Sequence, residues 1–303
     1  MPAFRSKAVA AAAQALVGRL ALYARLMRLD RPIGIWLLLW PTLWALWIAG
    51  EGRPDPEVFA IFVLGTVLLR SAGCVFNDFA DRNIDPHVRR TADRPIASGE
   101  VTPLEAIVLF VVLMLAAFAL VLLTDQRTVM LAIVGALLTI VYPFMKRWIA
   151  APQFVLGLAF AWGVPMAYAA QTGEAVSQAG WLLYVCALIW VVIYDTEYAM
   201  ADREDDLKVG IQSSAILFGE MDIAIIAGLK IVLLAGMLLL GHDAGLGLWF
   251  GIGLGAAALF GLRQLWLIRR RDPAGCLQAF ANNAWFGGAI FVGIVLDYIL
   301  RTG

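Results

Sequence analysis

The sequence predicts an all-α polytopic membrane protein with nine transmembrane helices around a central cavity opening to the cytoplasmic side. Three observations predict it. The 303 residues are 62% hydrophobic and only 15% charged, with a mean hydropathy of +0.81. Apolar runs long enough to cross a bilayer recur along the whole length and do not alternate in polarity, which selects helices over strands because lipid leaves no partner for an unpaired backbone group. Basic residues also crowd onto alternate connecting segments.

From the N-terminus, residues 1–29 carry Arg5, Lys7, Arg19, Arg25 and Arg28 and no acid. The Ala-rich run 8–17 makes a poor targeting core, so residues 1–30 are expected to form a cytoplasmic or interfacial amphipathic helix. Nine spans follow at 33–50, 57–76, 104–123, 129–145, 152–170, 180–196, 219–240, 245–267 and 284–300. With the N-terminus inside, the inner segments hold 18 Lys/Arg, counting Arg263 at the inner end of the eighth span, and the outer ones three, Arg53, Arg127 and Arg301, while Arg70 and Lys230 fall inside spans. That asymmetry follows the positive-inside rule and supports an odd number of spans, a cytoplasmic N-terminus and, for a bacterial chain, the inner membrane. The longer inner loops at 77–103, 197–218 and 268–283 make the inner face the working face.

No Pro/Ser-rich linker interrupts the spans, so residues 1–303 are expected to form one domain. Cys74, Cys186 and Cys276 are isolated, and His87 and His242 lie on opposite sides of the membrane. A disulfide framework or a His/Cys metal centre is therefore not expected. GIGLG at 251–255 lies inside a span with no preceding strand and reads as small-residue helix packing. A nucleic-acid partner is not expected, and nothing indicates a protein partner.

Two polar stretches break the apolar pattern on the inner face: NDFADRNIDPHVRRTADRP (77–95) and YDTEYAMADREDDLKVG (194–210). If the second span continues as helix, Asn77, Asp78, Asp81 and Asp85 fall within an arc of roughly 100°. In the other stretch Asp195, Tyr198, Asp202, Asp205 and Asp206 share one face, and Glu197 and Glu204 point away. Stripes of carboxylates repel unless cations lie between them. Oxygen donors without His or Cys favour a hard cation, Mg2+ first, and Mg2+ is commonly held by one or two carboxylates plus substrate phosphates. Neighbouring Arg82, Arg89, Arg90, Arg94, Lys146, Arg147, Arg203 and Lys208 suit a diphosphate. A diphosphate beside a lipid-lined cavity implies an isoprenoid diphosphate.

N77-D-x-x-D81-x-x-x-D85 with D195-x-x-Y198-A-x-x-D202-x-x-D205-D206 resembles the paired aspartate motifs of the UbiA superfamily of intramembrane prenyltransferases. The stretches at 28–46, 70–99, 142–147 (YPFMKR) and 194–219 are most similar to the branch that prenylates 4-hydroxybenzoate. The resemblance runs from about residue 25 to the C-terminus. It implies nine spans and transfer of a prenyl group from a polyprenyl diphosphate to the carbon ortho to the hydroxyl of 4-hydroxybenzoate, on the way to ubiquinone. It further implies Mg2+ held through the diphosphate by Asn77, Asp81, Asp85, Asp202 and Asp206. Asp78, Asp81, Asp195 and Asp202 are the expected catalytic acids, and Arg82, Arg94, Lys146, Arg147, Tyr198 and Lys208 the expected diphosphate ligands.

Arg70 lies about two turns deeper in lipid than Asn77, where an unpaired charge costs on the order of 3 kcal/mol. It is expected either to pair with Asp78 or another acid of the cluster, or to attract the carboxylate of the aromatic acid. Lys230 is expected to snorkel, Asn282 and Asn283 to line the cavity or cap the ninth span, Asp297 to anchor at the outer interface, and His87 to be solvated. Two rival readings stand beside this one. The same fold could prenylate another acceptor (homogentisate, dihydroxynaphthoate or a porphyrin). An ion-coupled transporter would carry its acids near the bilayer midplane rather than at helix ends.

Overall fold

The computed structural model describes residues 2–87, 91–145 and 148–301, with side chains from residue 13 onward except Val209 and Arg301. Twelve α-helices and no strand occur among the described residues: α1 (Pro2–Leu26), α2 (Ile33–Ala49), α3 (Pro56–Ala80), α4 (Pro103–Val121), α5 (Gln126–Met145), α6 (Pro152–Ala161), α7 (Gly163–Thr172), α8 (Gln178–Val209), α9 (Ser214–Phe218), α10 (Asp222–Asp243), α11 (Leu248–Ile268) and α12 (Pro273–Arg301). Counting α6–α7 and α9–α10 as single spans, eight helices among the described residues are long and apolar enough to cross a membrane. The apolar 17-residue α2 is the shorter ninth.

Local chemistry explains where the helices depart from the expected spans. The fifth span is broken at Trp162, because Pro165 has no N–H to donate and its ring crowds the preceding turn. The sixth runs far past residue 196 as the 32-residue α8 and stops only where Gly210 takes the left-handed conformation at φ 72°. The ninth starts at Pro273 rather than 284, since Asp272 accepts the Gly275 N–H at 2.8 Å and proline suits the first helical position.

The chain resolves into two compact units, Met1–Pro32 with Leu68–Ala116, and Ile33–Val67 with Ala117–Gly303. In the first unit, Phe76 stacks on Phe110 at 4.6 Å between centroids. Thr102 and Glu105 form a reciprocal capping box at the start of α4, the Thr102 N–H donating at 2.9 Å and the Glu105 N–H at 3.3 Å. Arg19 and Tyr23 of α1 both donate to Glu105, which ties the N-terminal helix to that cap.

The second unit holds the large core, with Trp44, Trp190, Tyr194 and Phe286 all almost fully buried. The Trp44 ring lies tilted against Trp190, 5.2 Å between centroids, and donates its indole N–H to the Gly287 carbonyl. Gly253 of the GIGLG run meets Gly293 of α12 so closely that a Cβ would lie 2.7 Å from the Gly293 Cα. Small residues bring these two backbones together. Asp297 is buried near the end of α12, and its carboxylate accepts the Gly247 and Phe250 N–H groups at 2.9 and 3.1 Å. It caps α11 from a neighbouring helix.

Candidate active site

The first acidic stretch begins in α3 and continues past its end through turns and a short 3-10 helix. The Asp81 N–H donates to the Asn77 carbonyl and the Asp85 N–H to the Asp81 carbonyl, each at 2.9 Å, although α3 itself ends at Ala80. Asn77, Asp81 and Asp85 therefore rise as one column. Asp78, Asp81 and Asp85 are buried, and Asn77 is half-buried.

Arginines run through this cluster. Asp78 accepts from Arg28 at 2.9 and 3.0 Å and lies 3.0 Å from Arg94, whose guanidinium also reaches both Asp85 oxygens, at 2.9 and 3.1 Å. The chain Arg28–Asp78–Arg94–Asp85 alternates in charge. Burial pushes the Asp85 carboxyl above the ordinary range, while the Arg94 guanidinium pulls it back down. The Asp85 carbonyl accepts the Thr91 hydroxyl at 2.9 Å, which closes the loop on itself. Arg82 donates to the Phe79 carbonyl and lies 4.5 Å over the Phe79 ring. His87 is exposed at the end of a short 3-10 turn. Lys146 and Arg147, expected on the diphosphate, and Arg89 and Arg90 lie outside the described residues.

Arg70 does not pair with Asp78, because Arg28 and Arg94 fill that role. It is half-buried in α3, donates to the Cys74 sulfur, and meets no carboxylate among the described residues. Arg28 is the residue that sequence reasoning missed. It counted only toward the inner charge, yet a buried aspartate at 78 demanded a cation and Arg28 supplies one from just before α2.

The second stretch is wholly helical. Asp195, Tyr198, Asp202, Asp205 and Asp206 are all half-buried on α8, and the Tyr198 ring lies 4.9 Å from that of Phe280. Lys208 is exposed and bonds Asp205 at 3.0 Å. Arg203 is not a free phosphate ligand: it pairs with the buried Asp222 and donates to the Ala215 carbonyl at 2.6 Å. Arg271 holds the same Asp222 at 2.9 Å, and that carboxylate holds the Arg271 guanidinium even more firmly protonated than usual.

Glu197 points away from the acidic face, as expected, but it is fully buried and bonded. Lys230, expected to snorkel, is buried instead, 3.1 Å from Glu197 and 2.5 Å from Gln264. Asn283 does not cap a helix, since it lies ten residues inside α12. It donates to Glu197 at 2.8 Å and accepts from Trp190 at 2.9 Å. Asn282 accepts from Gln264 at 3.2 Å.

Among the described residues, no three His, Cys, Asp or Glu side chains form a group that could hold a metal. Sparse oxygen donors of this kind fit a cation whose remaining ligands come from a phosphate.

A model of the UbiA prenyltransferase family matches residues 38–287. A relative from Methylococcus capsulatus, named 4-hydroxybenzoate octaprenyltransferase, is 57% identical over 277 residues, covering 91% of this chain and 94% of its own. The fold is similar to the apo structure of a UbiA homolog from Aeropyrum pernix K1, with a TM-score of 0.77 at 25% identity over 87% of this chain and 97% of the other. A UbiA homolog from Archaeoglobus fulgidus bound to GPP and Mg2+ shares the fold with a TM-score of 0.70, at 17% identity over 90% of this chain and 99% of the other. Two phased aspartate columns on a helical membrane scaffold, together with this match across most of the chain, establish that the protein belongs to the UbiA prenyltransferase family.

Proposed function

We propose that the chain transfers a polyprenyl group from a polyprenyl diphosphate to C3 of 4-hydroxybenzoate, giving 3-polyprenyl-4-hydroxybenzoate for ubiquinone synthesis. The observation that carries this reading is the 57% identity, over nearly the whole length of both chains, to a relative named for that reaction. The two aspartate columns supply the matching chemistry. Residues 1–303 act as one prenyltransferase domain in the bacterial inner membrane, with the N-terminus cytoplasmic, in keeping with the 18 Lys/Arg assigned to inner segments.

Asn77, Asp81, Asp85, Asp202 and Asp206 would hold a divalent cation, Mg2+, together with the oxygens of the diphosphate. When bound, that cation supplies positive charge to the departing diphosphate. Arg82, Arg94, Tyr198 and Lys208, with Lys146 and Arg147, bind the same headgroup by charge-assisted hydrogen bonds. Asp78 keeps Arg28 and Arg94 in place beside it, and Asp195 extends the α8 column one turn deeper. As the C–O bond breaks, the electron pair leaves with the diphosphate and an allylic carbocation remains. The ring carbon ortho to the hydroxyl then forms the new C–C bond and loses its proton. Arg70, a half-buried guanidinium without a carboxylate among the described residues, attracts the carboxylate of the aromatic acid.

Membranes containing the protein, incubated with labelled 4-hydroxybenzoate, a polyprenyl diphosphate and Mg2+, test the reading. Labelled product should form and should vanish with EDTA. Product formation with homogentisate or dihydroxynaphthoate in place of 4-hydroxybenzoate would reassign the acceptor while keeping the chemistry.

A further inference from the structure

Opposite the acidic column of α8, four helices bury a polar network that the proposed reaction does not use. Glu197 (α8) and Lys230 (α10) form an ion pair at 3.1 Å, and both are almost completely shielded from solvent. Gln264 (α11) bonds Lys230, Asn282 (α12) bonds Gln264, and Asn283 (α12) links Glu197 to the Trp190 indole. Phe286 covers the ammonium, 5.8 Å from its ring centroid. A buried ion pair gives little net stability over apolar side chains of similar size, because desolvation consumes most of its attraction. What such a pair does give is geometry: the two charges cannot separate without leaving one of them stranded in an apolar core.

The position of Glu197 makes that geometry consequential. At about 100° per residue, Glu197 lies roughly 160°, 140° and 180° round the α8 axis from Asp195, Asp202 and Asp206. It is the one carboxylate of α8 that faces straight into the core while the column faces away. Arg203, six residues on, adds a second anchor through Asp222 and the Ala215 carbonyl. Thr196 adds a third, with its hydroxyl 2.7 Å from that of Ser214. A metal-ligating constellation has to be held within roughly 10–20° of its working orientation. Apolar packing tolerates repacking at similar volume, whereas a buried ion pair holds its two helices at one distance.

We propose that Glu197 and Lys230 are positioning residues that fix the rotation of α8, so that Asp195, Asp202 and Asp206 present their oxygens to the cation–diphosphate headgroup. This rests on the proposed function above. The double variant Glu197→Leu/Lys230→Met removes both charges at once and so leaves neither buried alone. Glu197→Asp keeps both charges and draws the carboxylate back by one methylene.

Purified full-length protein is titrated with Mn2+ in the presence of inorganic diphosphate and followed by electron paramagnetic resonance, with thermal unfolding measured alongside. Both variants are expected to fold and to bind Mn2+ about fivefold more weakly than the unaltered chain, a loss of about 1 kcal/mol. The half-saturating Mg2+ concentration for product formation should rise in parallel, with KM for 4-hydroxybenzoate unchanged. Unaltered Mn2+ affinity in either folded variant overturns the proposal, and so does a uniform loss of folded protein with wild-type affinity in the fraction that remains. Failure of the unaltered chain to bind Mn2+ with diphosphate would instead overturn the proposed reaction.

Discussion

The two acidic stretches share a motif logic and are built in opposite ways. In the first, cations and anions are interleaved. Arg28, Asp78, Arg94 and Asp85 alternate within bonding distance, and of the three buried aspartates Asp78 lies in the last turn of α3 while Asp81 and Asp85 sit in the turns after Ala80. In the second, a continuous helix and the core behind it set the shape. The acidic column lies half-buried on an unbroken helix, while Arg203 and Lys230 are tied to Asp222 and Glu197. The first stretch therefore gets its shape from its charges, and the second gets it from helix α8 and the core behind it. Removing a shared cation from the first should therefore cost more stability than removing a charge from the second.

The largest expected contrast is Arg94→Ala. It strips the cation shared by Asp78 and Asp85 and leaves buried carboxylates short of a partner, a defect of about 3 kcal/mol. Thermal unfolding should show the loss, and prenyl transfer should fall with it. Asp206→Asn, at a half-buried position on a continuous helix, keeps the size of the side chain and one carbonyl oxygen, so it should cost less stability than Arg94→Ala while weakening the Mg2+ dependence of activity about tenfold. An equal stability loss in both variants would erase the distinction.

A smaller effect is expected for Arg28→Ala. Asp78 keeps Arg94 in that variant, so about 1–2 kcal/mol of stability should go while KM for both substrates changes little. Arg70→Ala probes the one cation of the first unit's α3 segment that stands outside the interleaved cluster. KM for 4-hydroxybenzoate should rise about tenfold, with the Mg2+ profile unchanged. An unaltered KM would release Arg70 from the aromatic acid. The smallest effect is reserved for Lys208→Ala, where an exposed pair with Asp205 is lost. Unfolding should not move, and only KM for the polyprenyl diphosphate should rise slightly, less so at high salt.

Much of this was legible in the sequence because helix geometry is local. The column of Asn77, Asp81 and Asp85 and the face of α8 follow from spacing alone, and so does the outward turn of Glu197 from that face. What spacing could not show was partnership between helices. Lys230 read as a snorkelling residue because its partner lies on another helix, 33 positions earlier, and no in-helix pattern links the two. Arg203 read as a phosphate ligand because it stands among acids, whereas Asp222 claims it from the start of α10. Asn283 read as a cap because the Asp272–Pro273 start signal went unused, which misplaced the origin of α12 by eleven residues. Arg28 went unremarked because nothing in the sequence says which of many inner arginines a buried aspartate will take.

The most direct test compares Asp81→Ala and Asp202→Ala in the labelled 4-hydroxybenzoate assay, with Mg2+ titrated and EDTA as control. The account predicts that each substitution, one from either column, abolishes Mg2+-dependent product while both proteins still insert in the membrane. Retention of EDTA-sensitive product at the wild-type level by either variant would contradict it.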